Sequence, residues 1–438
     1  MTERPRLTVI GTGYLGATHA VCMSELGFDV LGLDVDEAKV AALQAGKVPF
    51  FEPGLPELLQ KNLDSGRLRF TTSFEEVGAF GDVHFVCVGT PQKQGEYAAD
   101  MTYVDAAFRS LLPHLRPGAL VVGKSTVPAG TAERLAEELV ASGADAELAW
   151  NPEFLREGFA VEDTLTPDRL VFGVRSAEAE AKLRAAFQPV IDLPTPVVVA
   201  DFATAQLVKV AANAFLATKI SFINAMAEVC EATHADVTKL SEALSYDTRI
   251  GGRFLHAGLG FGGGCLPKDI RAFMARAGEL GVDQALSFLR EVDAINLRRR
   301  ARMIDLAREE LGGSFAGARV AVLGAAFKPN SDDIRDSPAL DVAASIQTQG
   351  AAVTLYDPEA MDNARVKHPE LGYRSSAVEA STGADIVLHL TEWAEFRQMD
   401  PAALSQVVTH KRIVDGRNAL DPELWRAAGW TYRALGRP

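Results

Sequence analysis

A single cysteine behind three glycines is the residue in this chain best suited to nucleophilic chemistry. Cys265 follows Gly262-Gly263-Gly264 and precedes Pro267, where a helix is expected to begin. The glycines allow a ligand to approach the backbone closely. The positive end of a helix dipole stabilises a thiolate, so the pattern favours a nucleophilic cysteine. A buried structural cysteine beside a glycine turn is the plainer alternative for a cysteine considered alone.

A second glycine turn, near the N-terminus, predicts the cofactor. Residues 7–10 resemble a buried strand, and the run Gly11-Thr12-Gly13-Tyr14-Leu15-Gly16 opens a helix directly after it. Residues 30–33 form a second strand that ends on Asp34. This sequence of elements is typical of a dinucleotide-binding fold, in which the pyrophosphate lies at the helix N-terminus. Asp34 is placed to bind the ribose hydroxyls, which predicts NAD rather than NADP.

The overall composition favours an enzyme that acts on small molecules. The chain has 438 residues, which predicts two or three domains, and a net charge of −14 from 44 basic and 58 acidic residues. This acidic balance argues against a nucleic-acid partner. We expect neither a membrane span nor a signal peptide. The four cysteines lack CxxC pairing and the eight histidines lack a metal-binding pattern, so we expect a cytoplasmic protein without a metal.

The predicted elements indicate an α/β protein with two doubly wound, Rossmann-like units joined by a long central helix and a helical middle domain. We predict domains at residues 1–200, 201–311 and 312–438. The central helix, 204–234, is apolar almost all round, which predicts a buried helix whose remaining face is covered by a second copy of the chain. The arginines at 298–300 are interpreted as a solvated helix face. Further strands are expected at residues 68–71, 83–88, 119–123, 148–150, 170–174, 197–199, 319–324, 353–356, 385–390 and 412–415.

The second Rossmann-like unit lacks the complete dinucleotide fingerprint. Its turn reads Gly324-Ala325-Ala326-Phe327-Lys328, in which one glycine remains and a lysine is present. Such a turn can present N–H groups and a positive charge to a phosphate, which predicts a site for the nucleotide part of a substrate. A structural duplicate without a ligand is the alternative.

Several motifs together resemble the UDP-glucose/GDP-mannose dehydrogenase family, and the resemblance covers the chain from end to end. It implies an NAD-binding N-terminal domain, a central dimerisation domain and a UDP-binding C-terminal domain. It also implies oxidation of a nucleotide sugar's primary alcohol to a carboxylate with two NAD. The motifs are Gly11–Gly16, Cys87-Val88-Gly89-Thr90-Pro91, Lys124-Ser125-Thr126-Val127-Pro128, the run 151–158 (Asn-Pro-Glu-Phe-Leu-Arg-Glu-Gly), Lys209 with Asn213, residues 260–269, Phe327-Lys328 and Asp415-Gly416-Arg417.

The resemblance also assigns roles to individual residues. It implies catalytic roles for Cys265, Lys209, Asn213, Asp269, Glu153 and Thr126. The expected cofactor-binding residues are Gly11, Gly13, Tyr14, Leu15, Gly16, Asp34, Lys39, Thr90, Thr126, Glu157 and Arg335. The expected substrate-binding residues are Glu153, Phe154, Leu155, Arg156, Lys209, Asn213, Arg249, Phe254, Gly262, Lys328 and Arg417, of which Arg249 is expected to reach the site of a neighbouring subunit.

The residues alone leave two of these assignments open. Lys209 and Asn213 are four residues apart and share a helix face, so Lys209 is either a functional charge or a lysine whose stem lies along the surface. The run 151–158 has the capping residues of a short helix, with Asn151 at its start and Gly158 at its end. In that interpretation Glu153 only complements a helix dipole.

The resemblance implies an NAD-dependent, four-electron oxidation of UDP-glucose to UDP-glucuronate through a thiohemiacetal and a thioester on Cys265, with two NAD and one water consumed. The same reaction on GDP-mannose or UDP-N-acetylmannosamine remains an alternative. A non-catalytic nucleotide-sensing protein is a more distant one, whose signature would be loss of Cys265, Lys209 or Asn213.

Overall fold

The computed structural model describes residues 4–438, which divide into two compact units. The first unit contains the chain up to Ala212 together with Arg271–Gly281. The second contains Asn213–Ile270 and Val282–Pro438. Each unit has its own hydrophobic core and its own sheet.

The first unit is built on an eight-stranded sheet in the order β3-β2-β1-β4-β5-β6-β7-β8. All neighbouring strands are parallel except β6 and β7, which meet antiparallel. The order reverses at β1 and β4, where ligands bind at the carboxyl ends of the strands in doubly wound sheets. The strands are β1 (Leu7–Ile10), β2 (Val30–Leu33), β3 (Leu68–Thr71), β4 (Val83–Val86), β5 (Ala119–Gly123), β6 (Ala146–Trp150), β7 (Leu170–Gly173) and β8 (Val197–Ala200).

Helices cover both faces of this sheet. In β1, Leu7 and Val9 belong to one buried cluster and Ile10 to another, as expected for a strand covered on both sides. A 3₁₀ helix forms at Leu112–His114. The helices are α1 (Tyr14–Glu25), α2 (Glu37–Gln44), α3 (Leu55–Asp64), α4 (Phe74–Phe80), α5 (Thr102–Leu111), α6 (Thr131–Ala141), α7 (Ala160–Leu165), α8 (Ala177–Ala186) and α9 (Gln188–Ile191).

The predicted central helix is α10 (Phe202–Thr233), which runs for 32 residues. Within residues 4–438 it is the one helix long and apolar enough to cross a membrane by length and composition, a test that core helices also pass. It is followed by α11 (Val237–Ser245), α12 (Leu266–Glu279), a 3₁₀ helix at Asp283–Leu286 and α13 (Phe288–Glu310).

The second unit carries a six-stranded, fully parallel sheet in the order β11-β10-β9-β12-β13-β14. The prediction of two Rossmann-like units with a long central helix is therefore confirmed. The strands are β9 (Arg319–Leu323), β10 (Ala352–Tyr356), β11 (Gly372–Tyr373), β12 (Ile386–His389), β13 (Arg412–Asp415) and β14 (Thr431–Ala434). The helices are α14 (Pro338–Thr348), α15 (Met361–Lys367), α16 (Ala377–Ser381), α17 (Ala394–Arg397), α18 (Pro401–Leu404) and α19 (Pro422–Ala427).

The interpretation of residues 298–300 as a solvated face is wrong for two of the three arginines. Arg299 is 0% exposed and Arg300 is 6% exposed. Arg299 donates to Glu231 at 3.2 Å, and Arg300 donates to Asp336 at 2.9 Å. Both guanidinium groups are buried because carboxylates distant in sequence pair with them, which composition alone does not indicate.

Candidate active site

The glycine turn after β1 leaves room for a ligand at the start of α1. A Cβ built on Gly13 meets nothing within 4 Å, whereas a Cβ on Gly16 would lie 1.8 Å from the carbonyl oxygen of Gly11. Gly16 is thus required for the close packing of turn and helix, and Gly13 faces open space. No side chain of the described chain caps the N-terminus of α1. The turn therefore fits a pyrophosphate, which would bind the N–H groups of the helix N-terminus.

Asp34 lies at the carboxyl end of β2, beside this turn, and is 7% exposed. Its carboxylate accepts from the backbone N–H of Thr12 at 2.9 Å and from Lys39 Nζ at 2.9 Å. Burial alone would raise the pKa of Asp34, but the hydrogen bonds from Lys39 and the backbone N–H of Asp36 hold it below its usual range. Asp34 is therefore an ionised acceptor that also fixes the turn.

Two threonines lie where β4 and β5 end, at the same edge of the sheet. The hydroxyl of Thr90 donates to the carbonyl of Thr126 at 2.8 Å. The hydrogen bond joins the two predicted cofactor residues and fixes the loops after these neighbouring strands. Thr126 remains partly exposed.

Lys124 is a buried cation whose role the sequence did not indicate, although it belongs to one of the family motifs. It is 7% exposed, and its Nζ donates to Asn151 Oδ1 at 2.9 Å. The ring centroids of Phe85 and Phe187 lie 5.8 and 5.6 Å from the Nζ. Burial lowers the pKa of Lys124 from 10.5 to about 8, against the opposing effects of Cys87 and Glu153.

This lysine predicts a specific pH dependence of stability. Below pH 8 both folded and unfolded chains hold the proton, so the folded state carries the full cost of the buried charge, roughly 3 kcal/mol. Between pH 8 and 10.5 the folded chain loses the proton first, and that cost disappears. We expect the urea midpoint of the wild-type protein to rise relative to that of Lys124→Met across this range. Lys47→Met, which removes an exposed lysine, is the control. A difference in urea midpoint between the wild-type protein and Lys124→Met that does not change with pH would contradict the lowered pKa of Lys124.

The run 151–158 is not a helix, so the helical interpretation of Glu153 is wrong. The backbone is irregular until α7 begins at Ala160. Asn151 does not cap a helix because both ends of its amide have other partners. Its Oδ1 accepts from Lys124, and its Nδ2 donates to the carbonyl of Val171 at 2.9 Å. Glu153 Oε2 accepts from the N–H of Leu155 at 2.6 Å, which fixes its carboxylate within the loop.

Glu153 and Lys209 form a buried ion pair. Lys209 Nζ lies 2.8 Å from Glu153 Oε1, and the two side chains are 5% and 12% exposed respectively. Burial would raise the pKa of Glu153, but Lys209 holds it below its usual range. Lys209 also lies 5.7 Å from the ring of Phe154. Lys209 is therefore not a lysine whose stem lies along the surface, and a functional charge remains the prediction for it.

Other predicted residues of this segment are more accessible. Arg156 pairs with Asp163 at 2.6 Å and its side chain is 50% exposed. Glu157 itself is half-buried. Burial is the largest cause of the raised pKa of Tyr14, and the nearby charge of Glu157 adds to it. The two predicted cofactor residues Tyr14 and Glu157 are therefore close in space.

In the second unit, Cys265 is the residue before α12, as the sequence predicted. Its carbonyl accepts the first helical hydrogen bond, from the N–H of Asp269 at 2.9 Å. Cys265 is exposed, whereas the other three cysteines are buried. Burial raises the pKa of Cys22 and Cys87 to about 12, so of these thiols the exposed Cys265 is the one suited to react at neutral pH.

Asp269 and Asn213 lie together in this unit. Asn213 Nδ2 donates to Asp269 Oδ2 at 2.6 Å, and Lys268 Nζ donates to Asp269 Oδ1 at 2.6 Å. Asp269 is 2% exposed and Asn213 is 7% exposed. The hydrogen bond fixes the orientation of the Asn213 amide on α10.

The three glycines before Cys265 allow the loop 327–336 to pack against them. A Cβ on Gly262 would lie 2.3 Å from the carbonyl oxygen of Asp336, and one on Gly263 would lie 2.7 Å from the ring of Phe327. A Cβ on Gly264 would lie 2.2 Å from the guanidinium of Arg335, which pairs with Asp333. The arrangement places Arg335, a predicted cofactor residue, against the residue that precedes Cys265.

The turn after β9 differs from the dinucleotide turn of the first unit. The N–H groups of Ala325 and Ala326 donate to the buried carboxylate of Asp357, at 2.7 and 3.0 Å. The next helix, α14, begins only at Pro338. Because Asp357 occupies these donors, contacts to a phosphate would come from the loop after them, which contains Lys328.

Arg417 binds three loops of the second unit together. Its guanidinium donates to the carbonyls of Leu390, Gly260 and Phe327 at 2.7, 2.9 and 3.0 Å. The N–H of Arg417 donates to Asp415, which also bonds to His389 Nδ1 at 2.9 Å. The buried pair of Asp415 and His389 was missed from the sequence because its members lie on different strands.

Two predicted substrate residues lie in the segment after α11. The side chain of Arg249 is 87% exposed and pairs with Asp247. Phe254 has a positive φ of 64°, an uncommon conformation that fixes the direction of the following backbone. A cleft of about 620 Å³ lies between α11 and residues 252–257, beside Arg417 and Asn418. Among residues 4–438, no three His, Cys, Asp or Glu side chains are grouped as metal ligands.

Comparisons with known proteins identify relatives over nearly the whole chain. Three profiles of the UDP-glucose/GDP-mannose dehydrogenase family match: the NAD binding domain at residues 5–191, the central domain at 203–298 and the UDP binding domain at 321–422. The UDP-glucose 6-dehydrogenase of Rhizobium meliloti (strain 1021) is 41% identical over 438 residues, which cover 99% of this chain and 100% of that protein.

Two solved structures are also similar. A UDP-glucose dehydrogenase from the hyperthermophilic archaeon Pyrobaculum islandicum is 38% identical, with a TM-score of 0.91 and coverage of 100% of this chain and 99% of that chain. A UDP-D-ManNAc dehydrogenase from Pyrococcus horikoshii is 28% identical, with a TM-score of 0.86 and coverage of 99% of both chains.

Proposed function

This chain belongs to the UDP-glucose/GDP-mannose dehydrogenase family, and from that premise we propose that it oxidises UDP-glucose to UDP-glucuronate with two NAD and one water. The observation that carries the proposal is the exposed Cys265 at the start of α12. Oxidation of an alcohol to an acid removes four electrons, and an enzyme that stopped at the aldehyde would need no such thiol.

The thiolate of Cys265 retains the intermediate between the two oxidations. Loss of a hydride and a proton from the primary alcohol gives an aldehyde. The thiolate sulfur adds to its carbon, and the oxygen takes up a proton, to form a thiohemiacetal. Loss of a second hydride and a proton gives a thioester. Water then attacks the carbonyl carbon and the carbon–sulfur bond breaks. The carboxylate and a proton are released, and the Cys265 thiol is restored. Each oxidation needs a hydride acceptor, which NAD would supply when held at the glycine turn after β1.

We propose that buried polar groups stabilise the charges of these steps. Lys209 and Asn213, one turn apart on α10, stabilise the oxyanion that develops at the reacting carbon. Glu153 and Thr126 hold or deprotonate the hydrolytic water, and Asp269 assists proton transfer. The pairing of Glu153 with Lys209 and of Asn213 with Asp269 supports these roles because each fixes a functional group in a buried setting.

We propose domains at residues 1–200, 201–311 and 312–438. For the cofactor we propose Gly11, Gly13, Tyr14, Leu15, Gly16, Asp34, Lys39, Thr90, Thr126, Glu157 and Arg335. For the substrate we propose Glu153, Phe154, Leu155, Arg156, Lys209, Asn213, Arg249, Phe254, Gly262, Lys328 and Arg417. We propose a cytoplasmic location because the reaction needs Cys265 as a reduced thiol.

A panel of sugar nucleotides tests the choice of substrate. The protein is incubated with NAD and, separately, with UDP-glucose, GDP-mannose and UDP-N-acetylmannosamine, and the products are identified by mass. We expect UDP-glucuronate to form with the highest kcat/KM. A higher kcat/KM for one of the other two would retain the chemistry and replace the substrate.

We expect NAD to be preferred to NADP by at least about 100-fold in kcat/KM, because a 2′-phosphate would lie against the buried carboxylate of Asp34. Asp34→Asn keeps an acceptor for Thr12 and should narrow the preference. Lys39→Met, which removes the neighbouring positive charge, should not narrow it. Equal rates with NAD and NADP in the wild-type protein would show that Asp34 does not bind the ribose.

We propose that the protein is a homodimer formed along α10. Phe215, Phe222 and Val229 are 66%, 48% and 53% exposed. With Thr218 and Ala225 they follow the alternating three- and four-residue spacing of a helix seam. Such an apolar stripe on a helix surface is stabilised when a symmetric copy covers it. The side chain of Arg249 is exposed enough to reach a neighbouring subunit.

Subunit exchange tests whether Arg249 acts across this interface. Cys265→Ala and Arg249→Ala are each expected to be inactive, and mixing them under conditions of exchange should restore part of the activity. Restoration is expected because a mixed dimer contains one site with both an intact thiol and an intact arginine. Failure to restore activity, with exchange confirmed by mass-labelled subunits, would place Arg249 outside the neighbour's site.

A further inference from the structure

Glu52 is a buried carboxylate of the first unit that joins two segments distant from it in sequence. It lies just before α3 and is 2% exposed. Its Oε2 accepts from the backbone N–H of Gly158 at 2.6 Å, and its Oε1 accepts from the N–H of Ala160 at 2.7 Å. The hydroxyl of Tyr14 also donates to Oε2. A carboxylate so deeply buried is stable because several donors replace its water.

One of these partners belongs to the glycine turn. Tyr14 is the first residue of α1, directly after Gly13, which faces open space. Its ring lies 4.8 Å from the ring of Phe50, so the segment that carries Glu52 holds Tyr14 by its ring as well as by its hydroxyl. Burial and the hydrogen bond to Glu52 raise the pKa of Tyr14, so its phenol stays protonated and donates.

The other partners lie at the end of the irregular run 151–158 and at the start of α7. Gly158 and Ala160 follow Glu157 and the loop that contains Glu153, and the N–H of Gly158 also donates to Tyr14 at 3.2 Å. The position of this loop is therefore fixed relative to the turn by hydrogen bonds that converge on a single carboxylate. Glu52 therefore links the Tyr14 hydroxyl to the N–H groups of Gly158 and Ala160.

We propose that Glu52 is a positioning residue that couples occupancy of the glycine turn by the dinucleotide to the ordering of the run 151–158. The inference rests on the proposed function for the identity of that dinucleotide. Two successive oxidations require the cofactor to be exchanged while the intermediate stays on the protein. The connection through Glu52 makes the loop that carries Glu153 respond to each binding and release.

Hydrogen exchange with NADH as the probe tests the coupling without turnover. In the wild-type protein, saturating NADH should slow exchange of the backbone N–H groups of residues 153–160 by about fivefold or more, the lower range of measured couplings between sites. Tyr14→Phe removes one hydrogen bond and leaves Glu52 with its backbone donors. Glu52→Gln places an N–H₂ group where an acceptor is needed. Both should lose most of the NADH-dependent protection at concentrations of NADH that saturate each variant.

Glu57→Gln, at an exposed position on α3, is the matched control and should retain the wild-type protection. Equal NADH-dependent protection in the wild-type protein and in Tyr14→Phe would overturn the coupling, as would absence of protection in the wild-type protein. Calorimetry with UDP-glucose separates this result from the proposed function. Protection by NADH without binding of UDP-glucose would support the coupling and contradict the proposed substrate.

Discussion

Cys265→Ser is expected to bind NAD and UDP-glucose normally but to lose UDP-glucuronate formation by about 10³-fold or more. A serine hydroxyl has no thiolate form near neutral pH, so it adds poorly to the aldehyde. The ester that it would form is also hydrolysed more slowly than a thioester. The measurement is the kcat for UDP-glucuronate, together with the binding affinities of both ligands.

A second cysteine variant controls for loss of a thiol in general. Cys230→Ala removes a buried thiol of the second unit, which is 2% exposed. It should leave kcat within about twofold of the wild-type value, apart from any loss of stability. Near-normal turnover in Cys265→Ser would exclude a covalent intermediate on this residue.

Lys209→Met is expected to lower kcat by roughly 10²- to 10³-fold, the usual cost of removing one group that stabilises an oxyanion. It should also destabilise the fold by about 3–5 kcal/mol, because Glu153 would remain buried without its partner. Both effects are measurable on the purified protein, by steady-state kinetics and by urea unfolding.

The double variant Lys209→Met, Glu153→Gln separates the two effects. It removes both charges of the buried pair, so most of the lost stability should return. Activity should not return, because neither the oxyanion nor the hydrolytic water would have its charged partner. Recovery of near-normal kcat in the double variant would show that the pair is only structural.

The predictions that succeeded depend on short stretches of sequence. The strand 7–10, the glycine turn and Asp34 lie within about 30 residues, and each is specified by local backbone requirements. Cys265 precedes α12 as predicted because Pro267 and the following residues define the helix start locally. Strand ends were predicted to within about two residues, the usual scatter of element boundaries.

The predictions that failed involve partners distant in sequence. Arg299 and Arg300 are buried because Glu231, Asp336 and Asp341 pair with them across the second unit. Asn151 is a residue type that often caps helices. Here its side-chain oxygen instead accepts a hydrogen bond from Lys124, which lies in the loop after the neighbouring strand. Glu52 gave no signal beyond being a single acid after an apolar run, because its partners lie 38 to 108 residues away.

The measurement that tests the central claim most directly is the stoichiometry of the reaction. Purified protein is supplied with UDP-glucose and excess NAD, and NADH and UDP-glucuronate are quantified together, with a trapping reagent for any free aldehyde. The thiolate of Cys265 retains the intermediate, so we predict two NADH for each UDP-glucuronate and almost no trapped aldehyde. One NADH per molecule of product, with accumulating aldehyde, would contradict the proposed function.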